Sequence, residues 1–296
     1  MLLVATAVSA LALAVPAPLA PAVPAGGKAA KLNNGLTFPL ASFGLQVYDD
    51  TTAAAYTTTA LAAGFRNFFS SVLAGNQQGF GDAIKSTKVP RKEIFICGSV
   101  NTGSGACSGS AACEQATAQG CSANLQAIGV DYLDMIMLDY PASDCPSIVG
   151  QWLAFEGMLK AGKTKSIAVS NFSPQQLDCI VSNKSMTVPA VNQMPYSVGD
   201  ASQTVVADNA KRGGILVQAY SPLQSGGLAN DPDCVAIGKS HQKSGAQVAL
   251  KWILQHNASF TTSASSAAFF AEDIALFDFT LSAAEMKRLD AKGLLP

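Results

Sequence analysis

The sequence predicts one α/β domain: a single (β/α)8 TIM barrel with an N-terminal hairpin cap, over residues 26–296. Three observations predict it. Strand-like apolar runs alternate with helix-like patterns eight times along the chain, and eight βα units in one chain close into a barrel. The 296 residues fill one such barrel comfortably. The stretch Lys165-Ser166-Ile167-Ala168-Val169-Ser170-Asn171 reads as a buried strand that stops abruptly in a polar pair. A parallel α/β fold displays a site at its strand ends in this way.

Residues 1–15 form an uncharged apolar run, followed by prolines at 16, 18, 21 and 24. As a helix that run would extend about 22 Å, short of a bilayer core of about 30 Å. The small residues around Val23-Pro24-Ala25 suit cleavage. Residues 1–25 are therefore expected to be an apolar targeting or signal segment, or a retained anchor. The expected location is a secretory or organelle-lumen compartment, such as the thylakoid lumen, with the cytoplasm as the alternative. Asn33-Asn34-Gly35 places a hairpin turn over 32–38. Barrel strands are expected at 40–45, 65–71, 94–99, 135–139, 165–170, 190–194, 215–219 and 259–263. Helical patterns cover 53–63, 79–85, 116–128, 148–160 and 247–255, and Ser173-Pro174 starts another. Two terminal helices are expected at 271–276 and 283–291.

A net charge of −1 and a pI near 6.1 give no reason to expect a nucleic acid or an acidic surface as partner. Charged residues make up 13% of the chain, against about 25% in ordinary domains. That reflects either lineage composition or a surface covered by other proteins. Only two histidines occur, His241 and His256, both expected on outer helices, which limits acid–base chemistry. The carboxylates and cysteines show no metal-ligand spacing. Cys107, Cys113, Cys121 and Cys145 cluster near the barrel mouth. In an oxidising compartment they would form two disulfides, for example Cys107–Cys113 and Cys121–Cys145, although spacing does not set the pairing. In a reducing one they are small apolar residues.

Several segments occur in a telling order. Gly64-Phe65-Arg66 enters the second strand, and Gly81-Asp82-Ala83-Ile84-Lys85 follows it. Val130-Asp131-Tyr132-Leu133-Asp134 enters the fourth, and Gly162-Lys163 precedes the fifth. Then come Val191-Asn192-Gln193, Ala219-Tyr220-Ser221-Pro222-Leu223 and Phe277-Asp278-Phe279-Thr280-Leu281-Ser282. Through these motifs the chain, from about residue 32 to 294, resembles the aldo-keto reductase family. The resemblance implies NADPH-dependent carbonyl reduction by a Tyr-Asp-Lys-His set at the barrel's C-terminal face. Hydride addition leaves an alkoxide, which needs an adjacent acid and positive charge.

At the matching positions this chain carries Ala74 for Tyr, Phe69 for Asp, Ser99 for Lys and Asp139 for His. Losing one positioned general acid costs about 10²–10⁴ in rate. An ionised Asp139 would also repel a developing alkoxide. Strand alternation points Tyr140 to the opposite face. Ser70, Ser71 and Cys97 would line a polar mouth with no base beside them. No catalytic residue is expected.

For the cofactor, the resemblance implies that Ser170, Asn171 and Gln193 hold the nicotinamide carboxamide and that Tyr220 stacks on its ring. Ser221 and Leu223 match pyrophosphate contacts, and Glu272 an adenine contact. Where the family carries a Lys and an Arg for the 2′-phosphate, this chain has Ser263 and Phe269, and Asp273 stands where Asn is usual. Losing two charge-assisted bonds would weaken NADPH about a hundredfold. No cofactor is expected, or at most weak NAD(P) binding. The family's long C-terminal loop is also missing from a chain that stops at Pro296. The expected function is therefore that of a catalytically degenerate, pseudoenzyme-like protein. It would serve as a binding or structural subunit among other proteins, in an assembly that the N-terminal segment ties to a membrane. The alternatives are a divergent NAD(P)-dependent oxidoreductase acting on a small carbonyl compound, through Asp139 or a substrate-supplied proton, and a dinucleotide-binding sensor.

Overall fold

A computed structural model describes residues 28–103, 105–199 and 204–294. The expected leader at 1–25 lies outside the described residues. The chain first doubles back in an antiparallel pair, β1 (Ala29–Lys31) and β2 (Thr37–Pro39). Gly35 turns it in the left-handed region at φ 84°, and Asn34 Oδ1 accepts from the Leu36 N–H. The turn is also a fastener. Asn33 Nδ2 donates to the Pro189 and Gly213 carbonyls at 2.9 and 3.1 Å, and Asn34 Nδ2 to Ser166 Oγ at 2.9 Å. The cap is thereby tied to three connections at the barrel's N-terminal end.

Eight parallel strands close the barrel: β3 (Ala41–Gly44), β4 (Asn67–Ser70), β5 (Phe95–Val100), β6 (Met135–Leu138), β7 (Ile167–Ser170), β8 (Val191–Pro195), β9 (Leu216–Tyr220) and β10 (Ser259–Thr262). They pair in chain order, and β10 closes onto β3. Helices fill the crossovers: α1 (Asp50–Ala63), α2 (Gln77–Ser86), α3 (Ser110–Ile128), α4 (Cys145–Lys160), α5 (Pro174–Val181), α6 (Thr204–Lys211), α7 (Pro232–His241) and α8 (Gly245–Gln255). The chain then adds α9 (Ala267–Ile274) and α10 (Ala283–Asp290).

Alternation along each strand divides the core in two. Phe68, Ile96, Ile136, Leu138, Ile167 and Val169 face outward and pack under the helices. Phe69, Phe95, Cys97, Met135, Met137, Ala168 and Val191 face inward. Leu32 and Phe38 from the hairpin plug the lower end of this inner cluster, with Phe38 edge-on to Phe95 at 5.0 Å. With the bottom closed by apolar groups, the polar strand ends collect at the other face.

The structure extends or shifts several expected elements for local reasons. α1 starts earlier because Asp49 Oδ1 caps the Thr52 N–H at 2.7 Å. α3 starts at Ser110, and α4 at Cys145 under the Asp144 cap. α9 lies at 267–274, toward the N-terminus of its expected place, because Ser266 caps it. Ser173 and Gln176 form the capping box that starts α5. The disulfides are Cys107–Cys113, as in the example pairing, and Cys145–Cys179. The expected Cys121–Cys145 bond does not form, because Cys121 faces the core from mid-α3 and α5 brings Cys179 to the start of α4. No described helix is long and apolar enough to cross a membrane.

Phe38 is fully buried, so Phe38→Ala should lower unfolding stability by about 3–5 kcal/mol. Chemical denaturation would check this; a loss below about 1 kcal/mol would mean the plug contributes little.

Candidate active site

The same alternation that builds the interior delivers the polar groups of the mouth. Reading up the inward column of β5 gives Phe95, Cys97 and Ser99. Continuing past β6 gives Met135, Met137 and Asp139, whose N–H bonds the Val100 carbonyl at 2.9 Å. Ser99 Oγ donates to Asp139 Oδ2 at 2.8 Å and accepts from the Val72 N–H at 2.9 Å. Ser71 bonds the same carboxylate. Asp139 is only 5% exposed. Burial pushes its pKa up to about 6, against the two serine hydrogen bonds that act to lower it. Burial, and then the Asp139 charge, pushes the Cys97 thiol well above its ordinary range, which leaves it unreactive.

A second cluster adjoins Asp139 directly. Asn171 sits in the left-handed region at φ 63°, a conformation Asn tolerates better than most residues. Its N–H bonds the Gln193 carbonyl at 2.9 Å. Its Nδ2 donates to the Asp139 carbonyl at 3.0 Å and to Ser170 Oγ at 3.1 Å, and its Oδ1 accepts the Tyr220 O–H at 2.9 Å. Ser170 Oγ donates to the Gln193 carbonyl at 2.9 Å, and Gln193 Nε2 to Gln218 Oε1 at 2.8 Å. The four residues expected at a nicotinamide, Ser170, Asn171, Gln193 and Tyr220, therefore form one hydrogen-bonded group. Asn171 joins that group to Asp139.

A cavity of about 1060 Å³ opens beside this group. It runs from Phe69, Gln193 and Tyr220 past Ser221 and Leu223 to Glu272 and Asp273 on α9. The expected cofactor residues Ser221, Leu223 and Glu272 thus share a cavity with Gln193 and Tyr220. Ser221, Gln224, Ser225 and Gly226 all have positive φ, from 48° to 88°, so the loop after β9 curls tightly along the cavity wall. Curled loops of this kind can turn backbone N–H groups toward an anion. Phe69 supplies an apolar wall, and Ala74 lies in the short turn after β4.

Asp273 is 4% exposed, and its pKa is pushed up to about 7 by burial, with a Thr262 hydrogen bond opposing and Glu272 adding to the rise. Ser263 and Phe269 also line this part of the cavity. His241 and His256 pair with Glu285 and Asp290, away from the mouth.

Two features were not foreseen. Tyr48 lines the cavity and clasps Ala264, donating to its carbonyl at 2.8 Å and accepting from its N–H at 2.9 Å. Tyr56 adds a bond to the Ser265 carbonyl at 3.2 Å, so two tyrosines pin the loop after β10. Tyr48 precedes α1 with only its place after the first barrel strand to mark it. Tyr140 follows β6 and is 43% exposed. β6 ends at Leu138, so strand alternation no longer governs it. Its phenol is near enough to Tyr220 to add to the rise in that residue's pKa, which burial dominates.

The Aldo/keto reductase family matches residues 36–293 of this chain. An aldo-keto reductase of Mycolicibacterium vanbaalenii is 32% identical over 88% of this chain and 90% of its own length. A glyoxal reductase of Bacillus subtilis is 31% identical over 88% and 91%. A morphine 6-dehydrogenase of Pseudomonas putida is 30% identical over 88% and 89%. Among solved structures, an aldo/keto reductase from Brucella melitensis superposes with a TM-score of 0.79 at 26% identity, covering 89% of this chain and 98% of that one. An aldo-keto reductase from a deep-sea metagenome gives 0.81 at 26%, covering 90% and 96%.

These relatives are named as reductases and a dehydrogenase, and they match nearly the whole barrel. That overturns the expectation of a non-catalytic structural subunit; the comparisons favour the oxidoreductase alternative. On the cofactor, the family, whose members typically use NAD(P)H, favours the weaker expectation of NAD(P) binding over that of none. The chain belongs to the aldo/keto reductase family.

Proposed function

We propose that this protein is a divergent NAD(P)-dependent oxidoreductase that interconverts a small carbonyl compound and its alcohol, with Asp139 as the proton carrier. The observation behind this reading is the buried carboxyl of Asp139, pushed up to about 6, on a residue whose backbone carbonyl accepts from Asn171, which in turn bonds Ser170, Gln193 and Tyr220. A buried carboxyl whose pKa lies near the working pH suits general acid–base catalysis.

The residues present fit a nicotinamide dinucleotide. The cavity is large and elongated, its mouth offers hydroxyl and amide groups suited to a carboxamide, and its wall is the curled loop 221–226. Ser170, Asn171 and Gln193 would hold the carboxamide, the Tyr220 ring would stack, and Ser221 and Leu223 would meet the diphosphate. Glu272 would lie at the adenosine end. The bound dinucleotide supplies or accepts the hydride.

The chain's own residues manage the proton. In reduction, protonated Asp139 donates to the developing alkoxide oxygen. Ser99 and Ser71 then stabilise the carboxylate left behind, and the Val72 N–H keeps Ser99 aimed at it. Phe69 narrows the site and keeps water from its side of the cavity. In alcohol oxidation, ionised Asp139 takes the proton.

Steady-state assays of the full chain with NADH and NADPH, on short aldehydes such as methylglyoxal, should show turnover. The absence of both turnover and dinucleotide binding at millimolar concentration would sink the proposal. Asp139→Asn should cut kcat by about 10²–10⁴ with little change in KM. The reduction rate should fall as pH rises through about 6 and the oxidation rate should climb over the same range; a profile flat across that range would remove Asp139 from the chemistry.

Thermal unfolding provides a separate check. Both Asp139, at about 6, and Asp273, at about 7, hold protons more tightly when folded than at the ordinary 3.8. Their ionisation therefore costs stability, which falls as pH rises from about 4 toward 7. Asp139→Asn and Asp273→Asn should each raise stability at pH 8, by on the order of 2 kcal/mol, and each should flatten the acid-side slope. A lower melting temperature in both variants at pH 8 would contradict the burial argument.

A further inference from the structure

We propose that the cavity selects NAD(H) over NADP(H), with Phe269 and Glu272 making the selection. This inference rests on the dinucleotide reading given above and sharpens it.

The argument begins with charge. No Lys, Arg or His lines the described cavity, whereas Glu272 and Asp273 do. The neighbouring lysines are committed elsewhere. Lys243 Nζ bonds Asp278 at 2.7 Å, and Lys251 Nζ bonds the Leu276 carbonyl at 3.0 Å. A diphosphate can be met by the Ser221 and Ser225 hydroxyls and by loop N–H groups other than those of Gln224 and Gly226, which bond within the loop; none of these needs side-chain charge. A further phosphate on the adenosine ribose finds no side-chain cation in that lining.

Geometry decides which end of the ligand meets the carboxylates. If the carboxamide is held at Gln193, where the Tyr220 ring also lines the cavity, the ligand runs past Ser221 and Leu223, and its other end reaches α9 at Phe269 and Glu272. Phe269 is 52% exposed, so its ring is available to an adenine face. A carboxylate there can accept hydrogen bonds from free ribose hydroxyls. It repels a dianionic phosphate in the same place. The apolar ring offers a phosphate no hydrogen-bond donor, and Ser263 offers only a neutral one.

Equilibrium titration of the full chain with NADH and with NADPH at low salt, read by calorimetry, tests the selection without turnover. NADH should bind at least about tenfold more tightly. Phe269→Arg, on an exposed position, should leave the melting temperature unchanged and shift the NADPH-to-NADH affinity ratio toward NADPH by about tenfold or more. Glu272→Gln should narrow the gap in the same direction. Equal affinities, or tighter NADPH, would overturn this inference while leaving the oxidoreductase reading in place. If neither dinucleotide binds at millimolar concentration, both fall together.

Discussion

In this barrel the two-residue alternation of strand side chains is the constraint from which the site follows. Met135 and Met137 face inward on β6, so Asp139, the next inward step, is placed above an apolar floor. Ser99 arrives beside it by the same count on β5, two steps above Phe95. Closure of the sheet then removes the water that a lone carboxylate would need. The raised pKa of Asp139 is thus produced jointly by register, which puts the carboxyl inside, and by burial, which outweighs two serine hydrogen bonds.

Asn171 is the hinge between the two halves of the mouth. One side chain contacts the Asp139 carbonyl, Ser170 Oγ and the Tyr220 hydroxyl. A single amide can do this because its NH₂ and C=O serve different partners. Its left-handed backbone lets the chain turn from β7 toward α5 while the amide stays at the strand end. A side chain without both donor and acceptor would leave the Asp139 side of the mouth and the Tyr220 side unconnected.

Much of this architecture was legible in the sequence, because strand alternation, the Asn33-Asn34-Gly35 turn and the Ser173-Pro174 start are local signals. The grouping of Ser170, Asn171, Gln193 and Tyr220 was legible too, through the family resemblance. The Cys145–Cys179 bond was hidden, since it depends on how α4 and α5 pack. The raised pKa of Asp139 was hidden for a related reason: its cause is burial in the enclosing barrel. Treating that carboxylate as an ionised obstacle led from four replaced positions to a non-catalytic reading. The near full-length likeness to named reductases and a dehydrogenase corrects it.

The Cys145–Cys179 bond links the helices that follow β6 and β7, whose upper ends carry Asp139 and Ser170-Asn171. In the denatured chain it would hold the intervening segment as a closed loop, with a sequence separation of 34. Loops of that size restrict the unfolded ensemble by about 3–4 kcal/mol in the chain-entropy picture. The oxidised polypeptide thus begins folding with α4 and β7 already inside a closed loop, whereas the dithiol form must bring α4 and α5 together from an open coil. The redox state of the chain therefore bears on how freely the strand that carries Ser170 searches for its place beside β6.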